Sequence, residues 1–511
     1  MTEFKTYITM SGDVLLYCGS PKLELLDELA TGPGDVWHSS LDHGFKNCFP
    51  ELVYQTAVYW WFLNDFEGVS QAVNWRVDAN HFVVRASVWK TLKGFDADYE
   101  GVAVKGLDFG FTLLRYAAGI PMYIKGLFEY DSVAVKVSTQ DRYRFFAKHF
   151  KLRHSYYMLW RQGLFKFPKE FAAFKKAKTI NRYKAPTISL RALKPIQGNP
   201  TVSLVIPTMK RQYYTELLLQ DYNQQTYPIK EAVIVDATPE AERDVRYYQS
   251  RNFNFDITLK WQTTKGSCRA RNEAIALCTG DYIIFADDDV RVLPDFVENH
   301  IKLLQTYGAK ACNGLDIMAQ HVAQDLNDLK KRLNALSEAR WKVGVSPMFS
   351  NANGVVKREL VAQLQGNDVN FDGGYGEDSD FGLRILKMGE VLLFNPFSPN
   401  LHLKPPQGGY RFWGTQAGVL GKNRKTQPWE LDTPVKWIRP IPSPTISYGV
   451  LKHFSMNQVK EWRKKHFFIY FFKGSKKQLL LRFFRLPYKQ FQFSKSLAYA
   501  KRLINLGERY S

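Results

Sequence analysis

The sequence predicts an α/β fold, with a mostly parallel sheet and helices on both of its faces. From residue 201 onward, short β-branched runs alternate with stretches of helical spacing, which is typical of parallel sheets. Acidic residues follow two of these runs, at the edge of the sheet where ligands bind in such folds. The chain has 511 residues, which is enough for two or three domains with cores of their own.

Each predicted element has its own signal in the sequence. We expect strands in TVSLVIPT (201–208), EAVIVDAT (231–238), DITLKWQTT (256–264) and DYIIFADDD (281–289). We expect helices in TELLLQDYNQQ (215–225) and in SCRARNEAIALCTG (267–280), which ends at a glycine. A third helix, DFGLRILKMGE (380–390), follows a glycine-rich loop. This order predicts that Asp236 and the triplet Asp287, Asp288 and Asp289 lie at carboxyl ends of strands.

The chain also contains an internal repeat. NANGVVKREL at 351 is matched by DANHFVVRASVW at 78, and the segment NFDGGYGEDSDFG at 370 is matched by GFDADYEGVAVKGLDFG at 94. Aligned on D-F-G, Asp108 corresponds to Asp380, and Lys105 and Gly106 take the positions of Glu377 and Asp378. The first copy has no acidic triplet either. It is therefore interpreted as a degenerate module for docking, dimerisation or acceptor binding.

The net charge of +21 lies in two blocks that are rich in aromatic residues. Residues 136–200 hold 16 basic residues against Asp141 and Glu170, and residues 451–511 hold 15 against Glu461 and Glu508. Such blocks suit phosphates and stacked bases, or anionic lipid headgroups with aromatics at the acyl boundary. They also suit amphipathic helices with solvated basic faces. Since no nucleic-acid-binding motif accompanies them, we expect no nucleic acid partner and slightly favour a membrane surface.

The cellular compartment is predicted from signals that are missing. Five scattered cysteines form no C-x-x-C pair, which favours a reducing compartment. The first residues, MTEFKTYITMSGD, lack the basic and apolar regions of a signal peptide. No apolar stretch reaches the roughly 18 to 20 residues that span a bilayer. We expect a cytoplasmic protein, compatible with peripheral binding to the cytoplasmic face of the membrane.

The acidic triplet is the first candidate site. Adjacent carboxylates on a turn after a strand form a hard oxygen site, suited to Mg²⁺ or Mn²⁺. Such an ion would offset the repulsion between the carboxylates and bind a substrate diphosphate. A solvated turn is the structural alternative.

Three further stretches carry chemistry. A glycine-rich loop is followed by three acids, Glu377, Asp378 and Asp380. One of them could act as a general base on a hydroxyl. The structural alternative is that acids are favoured at a helix start by the helix dipole. The cations of TKGSCRARNEA oppose that dipole at a helix start, so they suit a diphosphate; they are Lys265, Arg269 and Arg271. In HLKPPQGGYR, His402 can complete a metal shell and Arg411 can lie near phosphates.

These stretches resemble the family 2 glycosyltransferases, inverting enzymes of the GT-A fold. The resemblance rests on VSLVIPT, VIVDAT, CRARNEAIALCTGDYIIFADDDV, NANGVVKREL and GYGEDSDFGLRILKMG, and it covers about residues 201–415. It implies a GT-A domain there, preceded by a degenerate partial module at 1–135 and a basic helical segment with a linker at 136–200. A basic helical extension is expected at 416–511.

The resemblance implies a role for each matching residue. Asp378 would be the catalytic base, with Glu377 as the fallback. Asp287 and Asp289 would be the family's D-x-D, and Asp289, Asp287 and His402 would hold the metal. The residues assigned to the donor are Pro207, Thr208, Asp236, Lys265, Arg271, Asn272, Asp287, Asp288 and Arg411; Asp288 is otherwise a spacer. The residues assigned to the acceptor are Asn353 and Gly376.

The implied activity is a metal-dependent, inverting transfer of a sugar from a nucleotide sugar to a glycan or lipid-linked hydroxyl, in surface polysaccharide synthesis. The sequence PTMKR departs from the family, which more often has an aromatic residue and Asn after Thr208. The absence of Q-x-x-R-W disfavours a processive, cellulose-synthase-like enzyme.

The alternatives are an inactive carbohydrate- or nucleotide-binding scaffold and, with less support, a nucleic-acid-binding protein. A homo-oligomer is compatible with all of these.

Overall fold

The computed structural model describes residues 4–55, 64–180, 186–249, 252–263, 266–346, 348–372, 374–410, 438–472 and 478–511. The chain divides into two compact units. Unit 1 comprises Met1–Leu190, Leu386–Val391 and His453–Lys489. Unit 2 comprises Arg191–Ile385, Leu392–Lys452 and Gln490–Ser511.

Unit 2 contains an eight-stranded mixed sheet in the order β11-β14-β12-β13-β10-β7-β8-β9. Its strands are β7 (Val202–Thr208), β8 (Glu231–Asp236), β9 (Asp256–Trp261), β10 (Tyr282–Phe285), β11 (Val290–Val292), β12 (Ala311–Met318), β13 (Gly354–Lys357) and β14 (Leu392–His402). Strands β10, β7, β8 and β9 are parallel, β12 is parallel to β14, and β13 and β11 run against their neighbours. The predicted mostly parallel sheet is confirmed.

Burial along the strands explains why the sequence forms this sheet. Strands β7, β8 and β10 are buried at every position, as expected for parallel strands covered on both faces, and their sequences are continuous apolar runs. Strand β9 lies at the edge and alternates between exposed and partly buried residues. The four strands predicted from sequence are all present.

Helices connect these strands. Those of unit 2 are α7 (Gln212–Asn223), α8 (Arg246–Gln249), α9 (Ser267–Ile275), α10 (Phe296–Tyr307), α11 (Leu326–Ala335), α12 (Arg358–Leu364), α13 (Glu377–Lys387) and α14 (Pro444–His453). The last two residues of α13 and the last residue of α14 fall in unit 1. Helix α13 begins three residues before its predicted start. The first turn therefore carries Glu377, Asp378 and Asp380, where carboxylates are favoured by the helix dipole.

Unit 1 contains a six-stranded sheet in the order β1-β2-β5-β3-β6-β4. Its strands are β1 (Lys5–Ile8), β2 (Val14–Cys18), β3 (Val36–His38), β4 (Gln71–Val73), β5 (Phe82–Arg85) and β6 (Pro121–Ile124). Its helices are α1 (Leu26–Thr31), α2 (Ala86–Leu92), α3 (Val102–Arg115), α4 (Thr139–His149), α5 (Leu152–Arg161), α6 (Phe167–Ala177) and α15 (Met456–Phe472). Helix α16 (Leu479–Leu506) begins in unit 1 and ends in unit 2.

The two sheets share an arrangement of five strands. In unit 1, β2-β5-β3-β6-β4 are paired antiparallel, antiparallel, parallel and antiparallel. In unit 2, β10-β13-β12-β14-β11 have the same four pairings in the same order. The edge strand differs in chain order, since β4 follows β3 whereas β11 precedes β12. This agreement supports the internal repeat, which stays a prediction.

Both basic segments contain long stretches of helix. Helices α4, α5 and α6 lie within 136–200, and residues 186–200 have no regular secondary structure. Helices α14, α15 and α16 occupy the part of 416–511 that the structure describes. Within the described ranges, no helix has both the length and the apolar composition needed to cross a membrane.

Candidate active site at the carboxyl ends of the strands

The acidic triplet lies on the turn between β10 and β11. Asp288 is 4% exposed and points into the fold, where its carboxylate accepts hydrogen bonds from Thr208 Oγ1 (2.7 Å) and from an arginine. Burial raises the pKa of Asp288 to about 6. Asp288 therefore anchors the turn, which leaves Asp287 and Asp289 to face the site.

The arginine is Arg211, which sequence reasoning did not select. Its Nη1 donates to Asp288 Oδ1 at 3.0 Å and to Asp289 Oδ2 at 2.7 Å. It belongs to PTMKR, the stretch that departs from the family pattern at the two positions before it. A cation just after the first strand, opposite an acidic triplet, was the signal that could have identified it.

The loop after β14 packs against Arg211. Gly409 N donates to Met209 O (2.7 Å), and Arg211 Nε donates to Gln407 O (3.2 Å). Gly408 has φ +81°, and a Cβ there would lie 2.5 Å from Lys210 O. The Gly408–Gly409 pair thus allows close backbone contact in this structure.

Strand pairing places His402 beside Asp289. In the β11–β14 ladder Val290 pairs with His402, so the imidazole lies next to the preceding carboxylate, with Nε2 3.3 Å from Asp289 Oδ1. His402 Nδ1 lies 3.4 Å from Asp316 Oδ1 on the other side. Burial opposes a charged imidazole, but Asp289 and Asp316 together raise the pKa of His402 well above its usual value. Burial likewise opposes a charged Asp289, but His402 and Arg211 hold its pKa well below the usual range.

Three of the predicted metal ligands come together. Among the described residues, one group of potential ligands stands out: Asp287, Asp289 and His402 each offer an atom within 4.8 Å of the others. Ligands of a divalent ion at about 2.1 Å are up to about 4.2 Å apart, so only a small closure is needed. The two carboxylates are donors suited to Mn²⁺ or Mg²⁺, and the imidazole is a donor typical of transition-metal sites. The residues present fit the predicted ion.

Arg271 lies on α9 and faces the triplet. Its Nη2 donates to Asp287 Oδ1, yet its Nε and Nη1 have no hydrogen-bond partner within the part of the chain that the structure describes, and the residue is 3% exposed. A buried guanidinium with unused donors is unfavourable unless an anion completes it. This observation fits the predicted contact with a donor diphosphate.

Asp378 is half-buried at the first turn of α13. Its Oδ1 accepts a hydrogen bond from Asn351 Nδ2 at 2.5 Å. Burial, opposed by the charge of Arg271 and reinforced by that of Asp287, raises the pKa of Asp378 to about 6. Because these charges act on it, Asp378 shares one electrostatic site with Arg271 and the triplet.

Asn351 is the second residue that sequence reasoning missed. Its Nδ2 is bonded to Asp378, whereas its buried Oδ1 has no partner within the described residues. The motif NANG contains both Asn351 and Asn353, and the prediction chose Asn353 for the acceptor. Asn353 is fully buried, and its amide bonds His300, Gly314, Ser398 and Asn400. The side-chain amide of Asn353 is thus engaged inside the protein, and its assignment to the acceptor stays a prediction.

Asn272, which was predicted to line the donor site, forms hydrogen bonds within the protein. Its Nδ2 donates to Asn367 O (2.7 Å) and Tyr510 O (2.8 Å), and its Oδ1 accepts from Asn367 N (2.7 Å). The amide therefore holds two backbone segments together. Its hydrogen-bonding capacity is used inside the protein, and its assignment to the donor stays a prediction.

The start of α9, predicted to face a diphosphate, is capped by the protein itself. Asp372 Oδ1 accepts from Cys268 N at 2.6 Å, and a Cβ on Gly266 would lie 2.2 Å from Asp372 Oδ2. Burial raises the pKa of Asp372 to about 6. Of the three cations predicted there, Arg271 has the geometry for a phosphate, and Lys265 lies outside the described residues, as does Arg411.

The remaining predicted residues line the same edge of the sheet. Pro207 and Thr208 end β7, beside Asp236 at the end of β8. Asp236 is fully buried and accepts hydrogen bonds from Thr238 and from Tyr248 Oη (2.8 Å). Its contact with the donor base stays a prediction. Two further predicted residues lie just before and at the start of α13: Gly376, with φ +116°, and buried Glu377.

A family comparison agrees with this site. Residues 203–364 match the model of the family described as Glycosyl transferase family 2. This segment belongs to glycosyltransferase family 2. The family 2 segment carries the sheet from β7 to β13 and the acidic triplet, and its match to the family, with the mixed sheet, confirms the GT-A α/β fold.

Curated relatives are also glycosyltransferases. An uncharacterized glycosyltransferase of Haemophilus influenzae is 23% identical over 194 residues, which are 36% of this chain and 62% of that protein. The amylovoran biosynthesis glycosyltransferase AmsB of Erwinia amylovora is 27% identical over 214 residues, 39% of this chain and 69% of that one. The chain thus spans less than two thirds of the length of the Haemophilus relative.

A solved structure, GalNAc-T7 with UDP, GalNAc and Mn²⁺, is similar to this chain at a TM-score of 0.39 and 14% identity. The match covers 57% of this chain and 55% of that one.

Proposed function

We propose that this protein is a metal-dependent, inverting glycosyltransferase that moves a hexose from a nucleotide sugar to a hydroxyl of a glycan or lipid-linked acceptor. One observation carries the proposal. Asp378, a carboxylate held by Asn351, interacts electrostatically with Arg271 and Asp287, so the proposed base and the proposed donor site form one centre.

The donor side is built from cations and strand ends. Arg271 offers two unused N–H groups to the diphosphate, and Thr208 fixes the turn through Asp288. Lys265 and Arg411 would add charge to the same diphosphate. Holding the diphosphate rigidly fixes the anomeric carbon for attack, and such positioning supplies a large part of the rate.

Asp287, Asp289 and His402 would hold the divalent ion, either Mn²⁺ or Mg²⁺. When bound, such an ion neutralises charge that develops on a leaving diphosphate. Arg211 lies between Asp288 and Asp289, so it keeps these carboxylates in place and compensates their charge. Asp316 Oδ1 lies 3.4 Å from His402 Nδ1 on the far side and would stabilise a proton there.

Asp378 would be the general base. It accepts the proton of the acceptor hydroxyl as the oxygen bonds to the anomeric carbon and the bond from that carbon to the diphosphate breaks. The nucleoside diphosphate leaves on the opposite face, which inverts the configuration. A pKa of about 6 keeps Asp378 ionised at neutral pH and still basic enough to share a proton.

The biological process is proposed from the relatives. The Erwinia amylovora protein is described as an amylovoran biosynthesis glycosyltransferase. We infer that this chain acts in the synthesis of a cell-surface polysaccharide.

The direct test is a transfer and donor-hydrolysis assay with a panel of nucleotide sugars, with and without Mn²⁺ or Mg²⁺. We expect turnover with at least one donor and its loss on chelation. Manganese binding, followed by electron paramagnetic resonance, should weaken in Asp289→Asn and His402→Ala.

Glu298→Gln is a suitable control, because Glu298 pairs with Lys302 and Thr226 on the surface of unit 2. It should leave turnover and manganese binding unchanged. Absence of turnover with every donor, together with wild-type manganese binding by Asp289→Asn, would contradict the proposal and favour a binding scaffold.

A further inference from the structure

The first half of α16 exposes a row of apolar side chains. Leu480, Phe483, Phe484 and Tyr488 follow the spacing i, i+3, i+4 and i+8, which places them on one face of the helix. All four are exposed, and Phe484 is 71% exposed. We call these four residues the apolar row. Such a contiguous exposed row is uncommon on a protein surface without a partner.

The cations of this helix segment lie on the other side. Arg482, Arg485 and Lys489 follow the spacing i, i+3 and i+7. Because successive residues turn by about 100°, the two sets are centred on roughly opposite faces of the helix. The segment is therefore amphipathic, with an aromatic and leucine face and a basic face.

A second exposed apolar group lies in the same unit, on and after α5. It consists of Trp160, Leu164 and Phe165, and the last of these is fully exposed. The ring centroids of Trp160 and Phe468 are 5.5 Å apart, and Arg161 Nη2 lies 2.7 Å from Glu461 Oε1, so α5 packs on α15. The helices of both basic blocks are thereby joined in unit 1.

The acidic residues of these helices point inward. Glu170 is 3% exposed and pairs with Arg142, and Glu461 is 8% exposed and pairs with Arg161 and Tyr157. They are the only acids in the sequence segments 151–180 and 456–489. The charges that these segments expose are consequently cationic; those of the first segment include Lys151, Arg153, Lys166, Lys169, Lys175, Lys176 and Lys178.

We propose that the apolar row, with the group at Trp160, Leu164 and Phe165, binds an anionic lipid bilayer and lies in its interface. The basic faces would be attracted to anionic headgroups, and the aromatic and leucine side chains would enter the acyl boundary. The separation of the two faces on α16 favours a bilayer over a nucleic acid, because base stacking requires rings and cations on the same face. The inference rests on the proposed function for its purpose, since a bilayer would present a lipid-linked acceptor.

Vesicle co-sedimentation of the full chain tests this. The probes are vesicles of phosphatidylcholine alone and of phosphatidylcholine mixed with phosphatidylglycerol. We expect binding to the mixed vesicles only, and a loss of at least about tenfold in Phe483→Ser/Phe484→Ser, because each buried Phe contributes strongly to partitioning. Arg485→Gln should weaken binding about fivefold, the effect of one basic residue near an anionic surface.

The matched control is Ile8→Ser/Met10→Ser, which removes two exposed apolar side chains elsewhere in unit 1. It should bind as the wild type does, and thermal melting should show that all variants are folded. Equal binding to both kinds of vesicle, or equal losses in the two double variants, would overturn the proposal.

Two other partners would be recognised in the same samples. Self-association that disappears in Phe483→Ser/Phe484→Ser, without lipid binding, would make the row an interface between copies of this chain. Binding of single-stranded DNA in place of vesicles would make it a nucleic-acid surface; either result overturns the bilayer proposal. Asp378→Asn should bind vesicles as the wild type does, so that failure of the enzyme proposal is told apart from failure of this one.

Discussion

Helices α3 and α13 carry the same D-F-G sequence but begin differently. In unit 1, Asp108 is buried and accepts from Lys148, His149 and Tyr99, each at 2.7 Å. In unit 2, Asp380 is buried and accepts from Arg384 and lies 2.8 Å from Lys452 Nζ. In both units a lysine of the following basic segment meets the aspartate, which indicates a structural role.

Two residues earlier the units diverge. Unit 2 has Asp378, whose carboxylate meets Asn351. Unit 1 has Gly106, where a Cβ would lie only 2.4 Å from Val77 O. In unit 1, α3 therefore contacts the backbone between β4 and β5 directly at this position, where unit 2 has a carboxylate. The repeated aspartate therefore supports the fold, whereas the differing position carries the proposed chemistry.

The largest expected effect comes from Asp378→Asn. We expect turnover to fall about a thousandfold, because a general base contributes 10²- to 10⁴-fold and Asn cannot accept the proton. The free energy of unfolding should change little, since Asn retains a hydrogen-bonding group for Asn351. Initial rates and a thermal melt measure both. If the variant kept wild-type turnover, Asp378 would not be the base, and Glu377 would be the remaining candidate.

The shared aspartates should show the opposite behaviour. Asp380→Asn and Asp108→Asn should each lower the free energy of unfolding by about 3 kcal/mol, because a buried lysine loses a charged partner. Urea unfolding followed by tryptophan fluorescence measures the loss. If Asp108→Asn cost nothing while Asp380→Asn cost this much, the structural equivalence of the two units would be refuted.

The close backbone contact at Gly106 of α3 predicts an effect of intermediate size. Gly106→Ala should cost about 2 kcal/mol of unfolding free energy, because its Cβ meets the backbone at Val77 and Ala79. Gly449→Ala on α14 is the control, since its Cβ would meet Phe371 at an ordinary 3.6 Å. It should be neutral or stabilise by up to about 1 kcal/mol. Urea unfolding measures the free energy of unfolding of both variants. Equal changes in that free energy would contradict the close packing at Gly106.

The smallest effect concerns pH. Burial raises the pKa of Asp378 to about 6, and the base must be ionised to work. The value of kcat/KM should therefore rise with pH through about 6 and be about tenfold lower at pH 5 than at its plateau. A pH–rate profile measures this. A profile that stays flat down to pH 5 would show that the ionisation of Asp378 does not control the rate.

Much of the fold could be predicted because its signals are local. Strands β7, β8 and β10 are continuous apolar runs, and Asp236 and the acidic triplet follow them directly. The start of α13 was predicted three residues too late, since its first turn consists of acids that look like a loop in the sequence. The agreement of five strands between the units was outside the reach of sequence periodicity, which gives no strand order.

Several parts of the candidate site depend on distant pairing. Arg211 and the triplet are far apart in the sequence, and β7 and β10 are neighbours only in the folded sheet. The choice between Asn351 and Asn353 depended on which side-chain amide faces Asp378. Asn353 instead forms hydrogen bonds with His300 and Asn400. The predicted roles of the site residues stay proposals until the variants above are measured.

The sequence by itself determined the alternation of strands and helices, the acids at the strand ends and the concentration of basic charge in two blocks. Apolar runs, turn residues and charges act over a few residues, so they can be read without the fold. The tertiary structure alone decided that His402 pairs beside Asp289, that Arg211 bridges Asp288 and Asp289, and that Glu170 and Glu461 turn inward. These outcomes arise from strand register and from the burial of charge against distant partners, which exist only once the chain has packed.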